Sequence, residues 1–308
     1  MLPRISMLLC LGMMVGRHLA LRKSHFLYHS VMLAAKPPPP GPATSIVILH
    51  GLLGNAKNFQ SLVKLLHKEM GHMDIVVIDL LSHGRSKVLG DFQLDYRSMA
   101  EDVLHTCRKL KMPKVHLIGH SMGGKVTAAA CLDEQSDVDI LSATLLDISP
   151  VKYSENKEFK EVMHTIDFLE TVTEGITDST SKADLTKAIE ETFDDKDFRL
   201  FLGSNLVEGK NELQWRFSVK GIARSRQSLL DWDERDVTPF DRPMFLLKGG
   251  ESSFVKTSHL EAVKQQFPLY NLQSMKGIGH WLHAEAPVKT AAAIVNFLQA
   301  ATKWHEKK

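Results

Sequence analysis

Four short apolar runs, Ile46-Val-Ile-Leu49, Ile75-Val-Val-Ile78, Val115-His-Leu-Ile118 and Leu141-Ser-Ala-Thr-Leu-Leu146, alternate with helix-periodic segments near residues 56–70, 95–111 and 122–133. Each run has strand length and β-branched residues are frequent in them, the pattern of strands buried on both faces. A βαβαβαβ order predicts an α/β architecture: a mostly parallel central sheet with helices on both faces. A fifth run, Met244-Phe-Leu-Leu247, follows after a gap, and an amphipathic helix from about Pro287 to Ala301 closes the chain. His25 to Leu33 alternates well enough to be a first strand, ahead of a stiff, extended connector from Pro37 to Pro42.

The gap has a different texture. From Val151 to about Phe240 the chain runs in charged, helix-periodic stretches, Lys157 to Leu169 and Ala183 to Phe201, with no strand pattern between them. We therefore expect a core built from residues 25–150 and 241–308, interrupted by a helical lid at 151–240. Residues 1–24 are expected to form a separate targeting segment.

That segment contains Arg4, Arg17, Arg22 and Lys23, long apolar side chains and no carboxylate. This composition suits a mitochondrial transit peptide, with a secretory signal as the first alternative and an interfacial anchor as the second. Its apolar stretch, Ile5 to Gly16, is too short to span a bilayer, so no transmembrane span is expected. Of 38 Lys and Arg residues five fall in residues 1–36, leaving 33 against 36 carboxylates in the body. A slightly acidic body lacks the basic face that nucleic acid requires, which excludes that class of partner. The three cysteines, Cys10, Cys107 and Cys131, follow no disulfide spacing, which fits a reducing compartment such as the mitochondrial matrix.

Chemistry concentrates where the third strand meets a helix, at Gly119-His120-Ser121-Met122-Gly123. Gly-x-Ser-x-Gly between strand and helix reads as a nucleophile elbow, in which a serine takes a strained turn conformation and small neighbours let strand and helix approach. A serine hydroxyl is a poor nucleophile at neutral pH, so a histidine base and an orienting acid are required. Fifteen histidines compete. His280, in Gly277-Ile-Gly-His280-Trp-Leu-His283, occupies the loop before the closing helix, where the base is expected in the chain order serine, acid, histidine. His283 enters the helical turn and reads as a structural residue.

Two carboxylates compete for the acid. Asp147 ends the Leu141–Leu146 run, and Glu251 follows the Met244–Leu247 run. Ser252 could donate to the acid or the histidine in either arrangement. A tetrahedral intermediate needs preorganised N–H donors. The backbone amides of Met122 and Leu52, the latter in His50-Gly51-Leu52-Leu53-Gly54, are the candidates. His50 reads as a structural residue of that loop, and Asp79 to Ser86 as a hydrogen-bonded scaffold at the same sheet edge. Phe254 and Trp281 are candidate pocket residues for acyl or lipid-like groups, and equally candidates for ordinary packing. No ligand-spaced cluster for a metal stands out and the chemistry needs no cofactor, so neither is expected.

His50-Gly51 after a strand, Asp79 to Ser86, Gly119-His-Ser-Met-Gly123 and Gly279-His280 occur in the order found in the α/β-hydrolase superfamily, and the resemblance covers roughly residues 25 to 308. More narrowly, Gly119-His-Ser-Met-Gly-Gly-Lys125, Leu146-Asp-Ile-Ser-Pro-Val-Lys-Tyr153, Trp215-Arg-Phe217 and Gly279-His-Trp-Leu-His-Ala-Glu285 are similar to the group of alpha/beta hydrolase domain-containing protein 11 and small bacterial esterases. The resemblance implies an α/β-hydrolase fold and hydrolysis of a small-molecule ester, or a thioester, through an acyl-enzyme. It also implies a mitochondrial setting for the animal members of that group, and an acid on the earlier strand, hence Asp147. Dehalogenases and epoxide hydrolases of this fold use an aspartate where this chain has Ser121. One position departs: relatives carry an arginine two residues after Asp79, and here Leu81 stands. The competing expectation is a noncatalytic protein of the same fold that binds and stabilises a mitochondrial protein partner.

Overall fold

A computed structural model describes residues 24–37, 43–86, 93–134, 136–153, 157–177, 179–209, 213–232 and 238–308. The segment expected to serve targeting, apart from Ser24, and nearly all of the expected Pro37–Pro42 connector lie outside the described residues.

Seven strands form one sheet: β1 (His29–Met32), β2 (Thr44–Leu49), β3 (Asp74–Ile78), β4 (Lys114–His120), β5 (Asp139–Leu146), a strand at Met244–Gly249 and one at Tyr270–Met275. Between the first five lie α1 (Gln60–Glu69), α2 (Tyr96–Lys109) and α3 (Met122–Cys131). The insertion after β5 carries α4 (Lys157–Glu174), α5 (Lys182–Thr192), α6 (Lys196–Ser204), β6 (Leu206–Glu208), β7 (Leu213–Trp215), α7 (Val219–Arg224) and α8 (Arg226–Leu230). The Met244–Gly249 strand is thus β8, followed by α9 (Leu260–Gln266), β9 (Tyr270–Met275), α10 (Leu282–Glu285) and α11 (Pro287–Glu306).

Strand order is β1-β3-β2-β4-β5-β8-β9. Only β1 runs antiparallel to its neighbour, pairing His29 with Ile78 and Met32 with Ile75. The central pairs are parallel, Ile46 beside Ile75 and Leu49 beside Gly119. Parallel neighbours need crossover helices, and the period of two along each strand sends alternate side chains to opposite faces. Val47, Leu49, Val76 and Ile78 enter the core that holds α2, α3 and the insertion. Ile46, Ile48, Ile75 and Val77 enter the core beneath α1 and α11. With both faces covered, the C-terminal strand edge is left to the loops, the usual place for a site in an open α/β sheet.

Three differences from the sequence expectation have physical reasons. The insertion is not wholly helical: β6 and β7 pair as a short antiparallel ribbon, each three residues long and too brief to show a period. The Ala183–Phe201 stretch divides into α5 and α6, because the Asp195 side chain accepts the Phe198 amide and caps a new helix. The edge strand β9, Tyr-Asn-Leu-Gln-Ser-Met, carries no apolar run, since most of its side chains face water.

Candidate active site

Ser121 sits between β4 and α3 with φ 51° and ψ −119°, a conformation that non-glycine residues rarely adopt. Its amide donates to the Leu146 carbonyl at 3.0 Å, and the Ser121 carbonyl receives the Gly124 and Lys125 amides. The surrounding glycines are a steric requirement. A Cβ on Gly119 would lie 2.1 Å from the Gly123 carbonyl oxygen, and one on Gly123 would lie 2.5 Å from that of His50. Of five described non-glycine residues with positive φ, four (Leu53, Ser82, Ser121, Asp147) belong to loops at this edge of the sheet. Backbone strain at such a density marks a place where the surroundings over-determine the geometry.

Asp147 begins the turn after β5 and is completely buried. Its carboxylate accepts from three donors: His280 Nδ1 at 2.7 Å, the Gly249 amide at 2.8 Å and the Ser252 hydroxyl. Because a carboxylate only accepts, His280 carries its proton on Nδ1 and presents Nε2 as a lone pair. Glu251, the other candidate acid, has an exposed side chain, and its backbone amide donates to Ile278 O. The structure therefore brings Asp147, His280 and Ser252 into one chain of hydrogen bonds and leaves Glu251 outside it.

The loop bearing His280 is fixed from both ends. Glu285 accepts the amides of Gly279 at 2.7 Å and Trp281 at 2.9 Å, on either side of the histidine. His120 Nε2 donates to the His280 carbonyl at 2.9 Å. The sequence reading gave Glu285 no role. The signal available was its acceptor side chain four residues after Trp281, a spacing that closes only in a turn. His120 is buried among His280, Trp281 and His283, and burial pushes its pKa well below the usual histidine value. His283 stacks on Phe59 at 4.3 Å and is held down to about 3 by burial.

The two loops preceding α1 and α2 are locked together by neutral imidazoles. His50 accepts the Leu80 amide at Nε2 and donates from Nδ1 to Gly51 O. His83 accepts the Leu53 amide and donates to Leu81 O. Desolvation lowers the first to about 4 and the second to about 3, so both stay uncharged at neutral pH. Asp79 joins the loops by accepting the Ala56 and Arg85 amides. Leu81 is packed into the apolar core.

Gly51 approaches so closely that a Cβ there would lie 3.2 Å from Cβ of Ser121. This brings the next residue, Leu52, to the rim beside the first turn of α3. Among the described residues neither the Leu52 nor the Met122 amide donates to another backbone group. The N-terminus of α3 adds its positive dipole end. Ser121 opens into a cavity walled by Leu52, Ile148 and Phe254 from the core loops and by Val162, Leu229 and Leu230 from the insertion. Phe254 stacks on the His280 ring at 4.1 Å. Trp281 lies off this lining, packed between His120 and Phe201 of α6.

Among the described residues no group of three or more His, Cys, Asp or Glu side chains could hold a metal ion. No described helix is long and apolar enough to cross a membrane.

The family model for the alpha/beta hydrolase fold matches residues 44–287. The chain is 32% identical over 264 residues to the sn-1-specific diacylglycerol lipase ABHD11 of Xenopus tropicalis, covering 85% of this chain and 79% of that protein. It is 28% identical over 253 residues to Esterase YbfF of Escherichia coli (strain K12), covering 82% and 92%. Among solved structures, a marine microorganism esterase superposes with a TM-score of 0.77 at 25% identity, covering 88% of this chain and 98% of that one.

Proposed function

This chain belongs to the alpha/beta hydrolase family, and we propose that it is a carboxylic ester hydrolase that cleaves acyl or lipid-like esters, or thioesters, through Ser121, His280 and Asp147. The observation that carries the reading is the His280 Nδ1 to Asp147 contact, which leaves Nε2 as a lone pair at the same sheet edge where Ser121 is held in a strained turn. Relatives named for lipase and esterase activities support the same class and give no support to a noncatalytic binding role.

The sequence of events follows from the atoms. The Ser121 hydroxyl oxygen attacks the ester carbonyl as His280 Nε2 accepts its proton. The resulting imidazolium is held and stabilised by Asp147, whose three donors keep it from turning away. The tetrahedral oxygen's negative charge is taken by the Leu52 and Met122 amides, which have no competing backbone partner among the described residues. Collapse expels the alcohol or thiol, protonated by His280, and leaves the acyl group on Ser121. Water, deprotonated by the same nitrogen, then releases the acid.

Incubation with a fluorophosphonate probe tests this. Wild-type protein is expected to label on Ser121 and to hydrolyse p-nitrophenyl esters, and Ser121→Ala to do neither while keeping its melting temperature. Labelling that persists in Ser121→Ala would overturn the assignment. We also place the protein in the mitochondrial matrix, on the acid-free, arginine-bearing segment at residues 1–24. Import of the full chain into isolated mitochondria, compared with a chain lacking that segment, tests this. Translocation into secretory microsomes instead would reverse it.

A further inference from the structure

Lys125 lies one helical turn after Ser121 on the same face of α3, since residues four apart stack on one side of a helix. It is 1% exposed, yet it lines the cavity that holds Ser121. Among the described residues Nζ donates to a single acceptor, the Asp231 carbonyl at 3.1 Å, although an ammonium has three donors. Around it stand the faces of Tyr96, Tyr153 and Trp232, at 5.0, 4.7 and 6.0 Å from ring centre to nitrogen. The tyrosine hydroxyls donate elsewhere, Tyr96 to Leu229 O and Tyr153 to Phe254 O, and Tyr153 Oη accepts the Ser149 amide.

Among the described residues the amine has no close counter-ion, although the Asp231 carboxylate acts on it from beyond ion-pair distance. The Asp231 side chain pairs with Lys152 at 3.3 Å, and among the described residues no carboxylate forms an ion pair with Lys125. A buried cation without a close counter-ion is costly, and among the described residues aromatic faces, one carbonyl and the more distant Asp231 charge offset that cost. Desolvation accordingly draws its pKa down to about 7. A core position would be served better by methionine or leucine. A lysine there is accounted for if a ligand brings the opposite charge into the cavity.

Resting on the ester-hydrolase reading above, we propose that Lys125 is a specificity residue that takes the terminal carboxylate of an acyl chain bound beside Ser121, so that the preferred substrates are half-esters or half-thioesters of dicarboxylic acids. The apolar walls of Leu52, Ile148, Val162 and Phe254 hold the methylenes, and the aromatic collar keeps water from the ion pair at the far end. A plain fatty chain would fill the same slot but leave the amine unpaired.

Matched substrates test this: the p-nitrophenyl half-esters of adipic and pimelic acid against p-nitrophenyl hexanoate and heptanoate, with wild-type protein and Lys125→Met. Wild type is expected to favour each half-ester at least tenfold in kcat/KM over the neutral ester of equal length, and Lys125→Met to lower that preference at least tenfold. Equal or inverted preference in wild type overturns the inference even if the variant fails to fold. So does a preference that Lys125→Met, still labelled by fluorophosphonate, leaves unchanged. Such failures would leave neutral-ester turnover and labelling of Ser121 in place. Loss of turnover on all four esters together with absent labelling would instead sink the ester-hydrolase reading, and this inference with it.

Discussion

The loops at the C-terminal edge of the sheet and the insertion that covers them are built by different physics. The loops contain fully buried polar side chains, His50, Asp79, His83, His120 and Asp147, each tied to backbone or to another side chain. The insertion is made of capped amphipathic helices, an aromatic cluster of Phe168, Phe193, Phe198 and Phe201, and ion pairs at the surface such as Lys187 with Glu191. A buried hydrogen-bond network tolerates few substitutions, because losing one partner strands the other. An apolar cluster tolerates many, provided volume is kept. The candidate catalytic side chains thus sit in the part that cannot drift, while Val162, Leu229 and Leu230, one wall of the cavity, sit in the part that can.

The largest test of that contrast is Asp147→Asn beside Glu251→Gln. An amide at 147 leaves His280 without a stabilised imidazolium and favours the wrong ring tautomer, so kcat should fall by about 10⁴-fold. Glu251→Gln changes an exposed side chain outside the network and should stay within roughly twofold. A crippled Glu251 variant beside an active Asp147 variant would reverse the assignment of the acid.

Next in size is acid sensitivity. His50, His83 and His283 have folded pKa values of about 4, 3 and 3, below the ordinary histidine value of 6.5. Between these limits the unfolded chain binds protons that the native chain does not, so stability is complete above pH 6.5 and falls as pH falls toward 4. Each such histidine removes about 1.4 kcal/mol per pH unit within that window. His50 and His83 alone should therefore cost about 3–4 kcal/mol between pH 7 and pH 5. Urea midpoints at the two pH values measure it. The double variant His50→Gln, His83→Gln should unfold more easily at pH 7 but show a shallower pH slope. An unchanged slope would mean that the loops are not the acid-sensitive unit.

Smaller again is Glu285→Ala. It frees the amides of Gly279 and Trp281 without touching the reacting atoms, so it acts by loosening His280. A ten- to hundredfold loss, roughly, is expected in kcat with KM little changed, the mark of a misplaced base rather than weaker binding. Glu285→Gln keeps one acceptor oxygen and should recover part of the loss. A melting temperature that falls with no change in kcat would make the clamp purely structural.

Legibility in the sequence follows the same division. Strands β2 to β5 and β8 are readable because burial on both faces leaves continuous apolar runs, and Ser121 and His280 stand out as candidates because of local glycine patterns. Asp147 was not separable from Glu251 by residue pattern. What separates them is a contact between distant segments, His280 Nδ1 to the Asp147 carboxylate, which no local window contains. Glu285 escaped because its acceptors are used on backbone amides. Lys125 escaped because a lysine in a helix reads as exposed. Only the packing of Tyr96, Tyr153 and Trp232, drawn from three distant segments, shows that it is buried. The ribbon of β6 and β7 and the break between α5 and α6 depend on side-chain capping and short-range geometry that hydrophobic period does not report.

The smallest expected effect falls on the seam between the two regions. Phe201 of α6 lies 4.6 Å from Trp281, whose own neighbours are His120 and His280. Here the insertion touches the loop carrying the base. Phe201 is half-buried, so Phe201→Ala removes less than a core phenylalanine would, about 1 kcal/mol of packing. If the insertion chooses substrate while the loops do chemistry, this loss should appear as a three- to fivefold rise, roughly, in KM for long-chain p-nitrophenyl esters. Short-chain esters should be nearly unaffected, and the fluorophosphonate labelling rate should stay the same. A matching fall in labelling rate would mean instead that α6 helps to hold His280 in place. In that case the seam would belong to the catalytic machinery, and the insertion could not vary as freely as its construction suggests.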